Sequence, residues 1–288
     1  MGSIRLIVNG DDFGISHEVN EAILRAFREG VLTSCSLMVT GDAFEHAVEM
    51  AKENPGLAVG IHLVTVMGRS VLPKTEIPNL VDECRNFSNN PNAAGLKYYF
   101  SAQARKELRK ELAAQFEKFH STGIRLSHID GHLHLHVHPV IFKTAMKLGE
   151  QYGTRKMRVP VEELRVALGF DRRHMVRKAL YAGLFGLLGR YMKRELKLHG
   201  FTLSERVYGN LLSGEISEAY FLYMLDRLGA GVNEIYFHPA FYADASSLSR
   251  EQAQGLAEFR ALTSRDVRER IQQHGIRLIN YFELDTIQ

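Results

Sequence analysis

Apolar and polar positions alternate along this chain in two rhythms. Short apolar runs suited to strands buried on both faces are separated by stretches with apolar residues at helical spacing. Residues 4–9 read as a first strand. Ser16 then stands where an N-cap belongs, followed by Val19, Ala22, Ile23, Ala26 and Phe27, with Gly30 as a C′ glycine. Residues 32–39 read as the second strand. Asp42 reads as the cap of a helix carrying Phe44, Ala47, Val48 and Ala51, and residues 57–63 as the third strand. Residues 66–100, rich in Pro, Asn and Gly, show no period and read as a long functional loop.

A helix with Leu108, Leu112, Phe116 and Phe119 ends near Gly123, and residues 125–130 read as the fourth strand. Pro139 suits the first turn of the next helix. Residues 157–160 read as the fifth strand. The alternation resumes with a helix from Ser217, a strand at 233–238, a capping box of Ser249 and Gln252, a helix from Ser264 and a strand at 276–280. About seven strands separated by helix predict a parallel α/β fold, either a barrel or a doubly wound sheet. No linker, repeat or low-complexity tract divides the 288 residues. They read as one domain, 1–288, with an insertion around 161–210.

Composition narrows the class. With 24% charged and 45% hydrophobic residues the chain reads as globular, which excludes disordered, collagenous and coiled-coil classes. Cys35 and Cys84 make no disulfide framework and predict a reducing compartment. With no secretory h-region and no 18-residue apolar run, the expected location is cytoplasmic. The net charge of +3 is uneven: residues 165–197 hold nine Lys/Arg against Asp171 and Glu195, +7, leaving −4 for the rest. Within that stretch, residues 179–189 are apolar. Apolar sequence with basic flanks predicts either peripheral contact with an anionic membrane through 165–200 or an insertion packed on the barrel with solvated charges. Nucleic acid is not expected as a partner, because aromatics for base stacking are few.

The candidate chemistry clusters after strands. Asn9-Gly10-Asp11-Asp12-Phe13-Gly14 ends the first strand; one carboxylate can bind a cation while its neighbour takes a proton from water. The bland alternative is a polar turn with an Asp cap. His62 ends the third strand in Gly60-Ile61-His62-Leu63. A run from Ser127 to Pro139 holds His128, His132, His134, His136 and His138; at every second position they share one side if the chain is extended. His238-Pro239 ends the strand at 233–238. Parallel β/α folds build sites at the C-terminal ends of their strands, where Asp11, Asp12, His62, His132 and His238 all fall. A carboxylate with two histidines leaves positions open for water and substrate, as catalytic metal sites do.

In this order, Asn9-Gly10-Asp11-Asp12-Phe13-Gly14, Gly60-Ile61-His62-Leu63, His128-Ile129-Asp130-Gly131-His132-Leu133-His134 and His238-Pro239-Ala240-Phe241 resemble the YdjC-like carbohydrate deacetylases, which include chito-oligosaccharide deacetylases. The resemblance runs from Arg5 to about Tyr281. It implies a distorted (β/α) barrel that removes N-acetyl groups from sugars with one divalent metal ion, Zn or Mg. It implies Asp12, His62 and His132 as metal ligands, Asp11 as general base and His238 as acid. Gly10 replaces the family's usual Ala without removing a functional group. Stretches at 67–73, 77–82 and 95–100 resemble the hopanoid biosynthesis-associated branch, which implies an N-acetylglucosaminyl hopanoid glycolipid as substrate at the inner face of the cytoplasmic membrane. Two other readings stay open. A two-metal phosphoesterase would recruit Asp130 and His134, and a histidine-rich metal carrier at the membrane would have no use for Asp11. The oligomeric state and the roles of His128, His134, His136 and His138 are undetermined by sequence.

Overall fold

A computed structural model describes residues 3–287, and the side chains of 3–284. Seven parallel strands form one sheet: β1 (Ile4–Phe13), β2 (Ser34–Leu37), β3 (Ala58–Leu63), β4 (Ile129–Gly131), β5 (Arg206–Tyr208), β6 (Gly231–Phe237) and β7 (Arg277–Leu278). Their order is β4-β3-β2-β1-β6-β5. Along its other edge β1 is shared, pairing with β7 at Arg5 and Leu6 and with β2 from Asn9 onward. The sheet curls so that residues 155–161 bridge its outer strands. Arg158 N–H donates to Ile129 O (3.0 Å), Thr202 N–H to Arg155 O (2.9 Å) and Val207 N–H to Val161 O (3.4 Å). The result is the expected distorted α/β barrel. The expected fifth strand at 157–160 makes only isolated bridges, since Pro160 has no N–H to give a ladder. Arg206–Tyr208 takes its place as β5, too short to show a period.

The helices are α1 (His17–Glu29), α2 (Phe44–Glu53), α3 (Pro91–Phe100), α4 (Ala102–Ser121), α5 (Pro139–Gln151), α6 (Leu164–Phe170), α7 (Met175–Leu198), α8 (Glu218–Leu225), α9 (Arg250–Thr263) and α10 (Arg265–Gln273). Ser16, Ser217 and Ser264 cap their helices, and Ser249 with Gln252 forms the expected box. Three local expectations change. Asp42 caps nothing: Ala43 is the N-cap of α2, without a side-chain bond. Gly30 ends α1 at φ −119°, outside the left-handed region; it is needed because a Cβ would come within 2.4 Å of Leu262 O. The supposed loop 66–100 contains α3, begun by Asn90 as cap and Pro91 at its first turn. Only Ala94 and Tyr98 of α3 are buried, a stripe too narrow to read as an amphipathic period.

Side chains of β1 that face the helices, Leu6 and Val8, join the main core, while Ile7 points inward to Val232, Ile279, Tyr281 and Leu284. Those five plug one end of the barrel. Above them the interior turns polar, and the site begins.

Candidate active site

Residues two apart on a strand share a face. Next inward after Ile7 on β1 come Asn9 and Asp11; β6 contributes Glu234 and Tyr236, and β4 contributes Asp130. They meet around Arg158, which is fully buried. Its guanidinium donates to both oxygens of Asp11 (2.7 and 2.8 Å) and to Glu234 Oε1 (2.6 Å), lies 3.0 Å from Asp130 Oδ2, and rests 4.7 Å from the centre of the Tyr236 ring. Glu234 also accepts from Tyr281 Oη and Ser204 Oγ. Three carboxylates thus share one arginine, and Asp12 adds a fourth negative charge close by, a surplus that favours a cation.

Between Gly10 and Phe13 the β1–β2 register shifts, and Asp12 takes a left-handed φ of +63°. Such bulges re-aim side chains at site edges. This one sends Asp11 to Arg158 and Asp12 to the histidines. Asp12 Oδ1 lies 3.3 Å from His62 Nε2 and 3.1 Å from His132 Nδ1. Burial would raise the Asp12 pKa, but His132 and His62 hold it well below the carboxylate range. The His62 Nδ1–H donates to Asp130 Oδ1 (2.8 Å), and Asp130 also accepts from Ser36 Oγ (2.6 Å).

A divalent cation fits this group. With its Nδ1 proton committed to Asp130, neutral His62 aims the Nε2 lone pair at the Asp12 carboxylate. Two acceptors 3.3 Å apart repel unless a proton or a cation lies between them. The three ligand atoms lie within 4.8 Å of one another, and a carboxylate behind a ligating histidine is the usual outer support. Without a cation, burial opposes charging His62, but Asp130, Asp12 and Asp11 outweigh it and carry its pKa to about 10. Asp11, His62 and Asp130 also lie close together. There the Arg158 guanidinium already occupies the space between the two carboxylates.

The histidine run is not extended. Leu133 and His134 have φ of +51° and +55° inside a 3₁₀ turn, so successive histidines part. His132 goes to Asp12, whereas His134 Nε2 meets the Tyr236 hydroxyl (2.8 Å). His136 Nε2–H donates to Arg158 O (3.0 Å), and His138 caps α5 while donating to Gly95 O. His128 stacks on Tyr281 at 3.6 Å and bonds Ser36. Gly60 makes room for that ring, since a Cβ there would come within 2.4 Å of it. Burial, partly offset by Asp130, brings the His136 pKa down to about 4. The unfolded chain binds that proton near 6.5, so this stability is full above pH 6.5 and lost as pH falls toward 4. His136→Gln, which keeps the donor, is expected to remove about 3 kcal/mol of the acid-side fall between those values, measured by urea unfolding at stepped pH.

A cavity of about 310 Å³ reaches Asp11 and His238 together, with His134, Tyr236, Asn210 and Arg177 among its walls. His238 is partly exposed, and its backbone N–H donates to buried Glu258 (2.5 Å). The structure thus brings Asp12, His62 and His132 into one group, and Asp11 and His238 into one cavity. Sequence reasoning passed over Arg158, Glu234 and Glu258. Arg158 had a signal: a charged residue inside the apolar run 157–160.

A parallel α/β barrel with carboxylates and imidazoles gathered at its strand ends has the layout of a hydrolytic metal site. The family is specific: residues 5–273 match the YdjC-like protein family, and the chain belongs to it. It is 36% identical to a carbohydrate deacetylase of Brevibacillus brevis, over 98% of this chain and all of that one. It is 33% identical to a chitooligosaccharide deacetylase of Escherichia fergusonii, over 97% and 98% of the two chains. A crystal structure from Enterococcus faecalis, of a protein named for cellobiose-phosphate cleavage, superimposes with a TM-score of 0.74 at 27% identity, covering 98% of this chain and 99% of that one.

Proposed function

We propose that this chain is a metal-dependent carbohydrate N-deacetylase acting on an N-acetylglucosaminyl glycolipid of the hopanoid type. The reading treats residues 1–288 as one deacetylase domain with an insertion at 161–210, working in the cytoplasm at the inner face of the cytoplasmic membrane. The observation that carries the chemistry is the cavity that touches Asp11 and His238 beside the Asp12, His62 and His132 group. A divalent ion held by those three, Zn or Mg, supplies polarisation of the acetyl carbonyl and a lowered pKa for water. Asp11 accepts the proton of the attacking water. Arg158 occupies one lone pair on each of its oxygens and the Asn9 amide N–H takes the second on Oδ1 (2.8 Å), which leaves Oδ2 with a lone pair for that proton. His238 protonates the sugar nitrogen as the C–N bond breaks, because an amine anion is too poor a leaving group to depart alone. Acetate and the free amino sugar result.

Two observations support this over the rival readings. Arg158 lies against Asp130 where a second phosphoesterase metal would need it, and the histidines of the run disperse instead of pooling for metal storage. For the lipid part, an apolar groove of about 660 Å³ adjoins the cavity and shares Pro91, Leu133, His134, Tyr181 and Phe185 with it. Its aliphatic residues, Leu96, Leu184 and Leu188, suit a hydrocarbon chain better than sugar hydroxyls.

The test is mass spectrometry of N-acetylglucosaminyl lipid and chito-oligosaccharide mixtures incubated with the protein. Loss of one acetyl, faster on the lipid, is expected, and no deacetylated product from either would overturn the reading. His62→Ala and His132→Ala are each expected to lose bound metal by elemental analysis. Undiminished metal in both would overturn the ligand set.

A further inference from the structure

The sequence leaves two fates for the apolar stretch of 179–189, and one helix carries a buried side that fits the packed insertion and an exposed apolar side that packing leaves over. In α7, Phe185, Gly189, Met192 and Leu196 pack inward. Val176, Leu180, Leu184 and Leu187, spaced four, four and three apart, form a stripe on the other side and are 54–71% exposed. A helix apolar on both sides is half unpartnered in water. Next to it, α3 exposes Leu96 (62%), Tyr99 (51%) and Phe100 (74%). The two helices lie far apart in sequence, yet Leu96, Phe100 and Leu184 line one groove, which runs into the catalytic cavity.

Charge surrounds this apolar face. Arg172, Arg177, Arg190, Arg194 and Lys197 are exposed, and Arg190 and Arg194 continue the 176–187 stripe by helical spacing. Structural pairing consumes other charges: Lys178 is buried against Asp171, and Arg173 pairs with Asp171 and Glu215. No helix among the described residues is long and apolar enough to cross a membrane.

From this juxtaposition we infer that α3 and α7 together form a docking face for an anionic lipid surface, with the mouth of the groove opening into the interface. Exposed leucines and aromatics enter the headgroup region while the arginines meet lipid phosphates. The groove then gives the apolar part of an amphiphile a path from the bilayer that ends beside Asp11 and His238. The purpose of this face rests on the glycolipid reading above; its lipid binding is measured without it.

The experiment is co-sedimentation of the full chain with phosphatidylcholine vesicles, with and without phosphatidylglycerol, at low and high salt. Binding only to the anionic vesicles, lost at high salt, is expected. Arg190→Gln with Arg194→Gln should weaken partition about 30-fold, taking about 1 kcal/mol per basic side chain near the surface. Leu180→Ser with Leu187→Ser should weaken it at least about tenfold. Neither leucine lines the cavity or the groove, so turnover of a soluble chito-oligosaccharide should be unchanged while turnover of a vesicle-borne substrate falls. Equal partition of wild type and both double variants would overturn the inference. So would a wild type that ignores vesicles and dimerises through this face, with the leucine variant monomeric. Vesicle binding without any acetyl release would instead fault the deacetylase reading and leave the docking face standing.

Discussion

Asp11→Asn is expected to lower deacetylation by about 10²–10⁴-fold, the usual worth of a positioned base, with bound metal unchanged. Asp12→Asn is expected to lower metal occupancy, with activity partly restored by added metal. The bulge after Gly10 sends the two side chains to different partners: Asp11 to Arg158 and the cavity, Asp12 to His62 and His132. A fold defect at this turn would strike both variants alike, so the contrast is informative. Metal content, melting and rate are measured side by side at several metal concentrations. Rescue of Asp11→Asn but not Asp12→Asn would mean that the roles are exchanged, and full activity in both variants would remove the site from this turn. Asparagine at position 11 also turns one Arg158 contact into a clash of donors, so the melting measurement separates that loss from loss of the base.

What the sequence made legible follows from locality. Strands β1, β3, β4 and β6 each end in chemistry, and run and motif lie in consecutive residues; parallel strand order alone puts Asp11, Asp12, His62, His132 and His238 at one end. The losses come where the decisive partner is distant. Arg158 looks like one charge in a short apolar run, and only the curl of the sheet sets it against Asp11, Asp130 and Glu234. The histidine run misled because its alternation presumed an extended chain, which two left-handed residues, Leu133 and His134, break. The α3 helix escaped because just two of its side chains are buried. Its outward apolar residues have no rationale within the fold and acquire one only beside α7.

Arg158→Met should be among the most destabilising single changes in this chain. Methionine fills similar space but leaves Asp11, Asp130 and Glu234 buried together without their shared counter-ion. Breaking a buried pair this way costs about 3–5 kcal/mol, a fall in melting temperature on the order of 10 °C for a chain of this size. The pH dependence identifies the cause. In the wild type, burial pushes the Asp130 pKa upward, while Arg158, then His62, hold it well below the carboxylate range. A depressed carboxylate contributes stability above its unfolded pKa and loses it as pH falls through the folded one. Without Arg158 the buried carboxyls take up protons more readily, and the neutral acids repel less. The gap between variant and wild type should therefore narrow as the buffer is made acidic, whereas a packing defect would keep it constant. Arg158→Lys restores one positive charge but not the planar fork that grips both oxygens of Asp11. It should recover much of the stability and little of the rate, because Asp11 is no longer held toward the cavity. A methionine variant as stable as wild type at neutral pH would mean that these carboxylates do not depend on Arg158. A lysine variant with full activity would mean that the bidentate grip is not what positions the base.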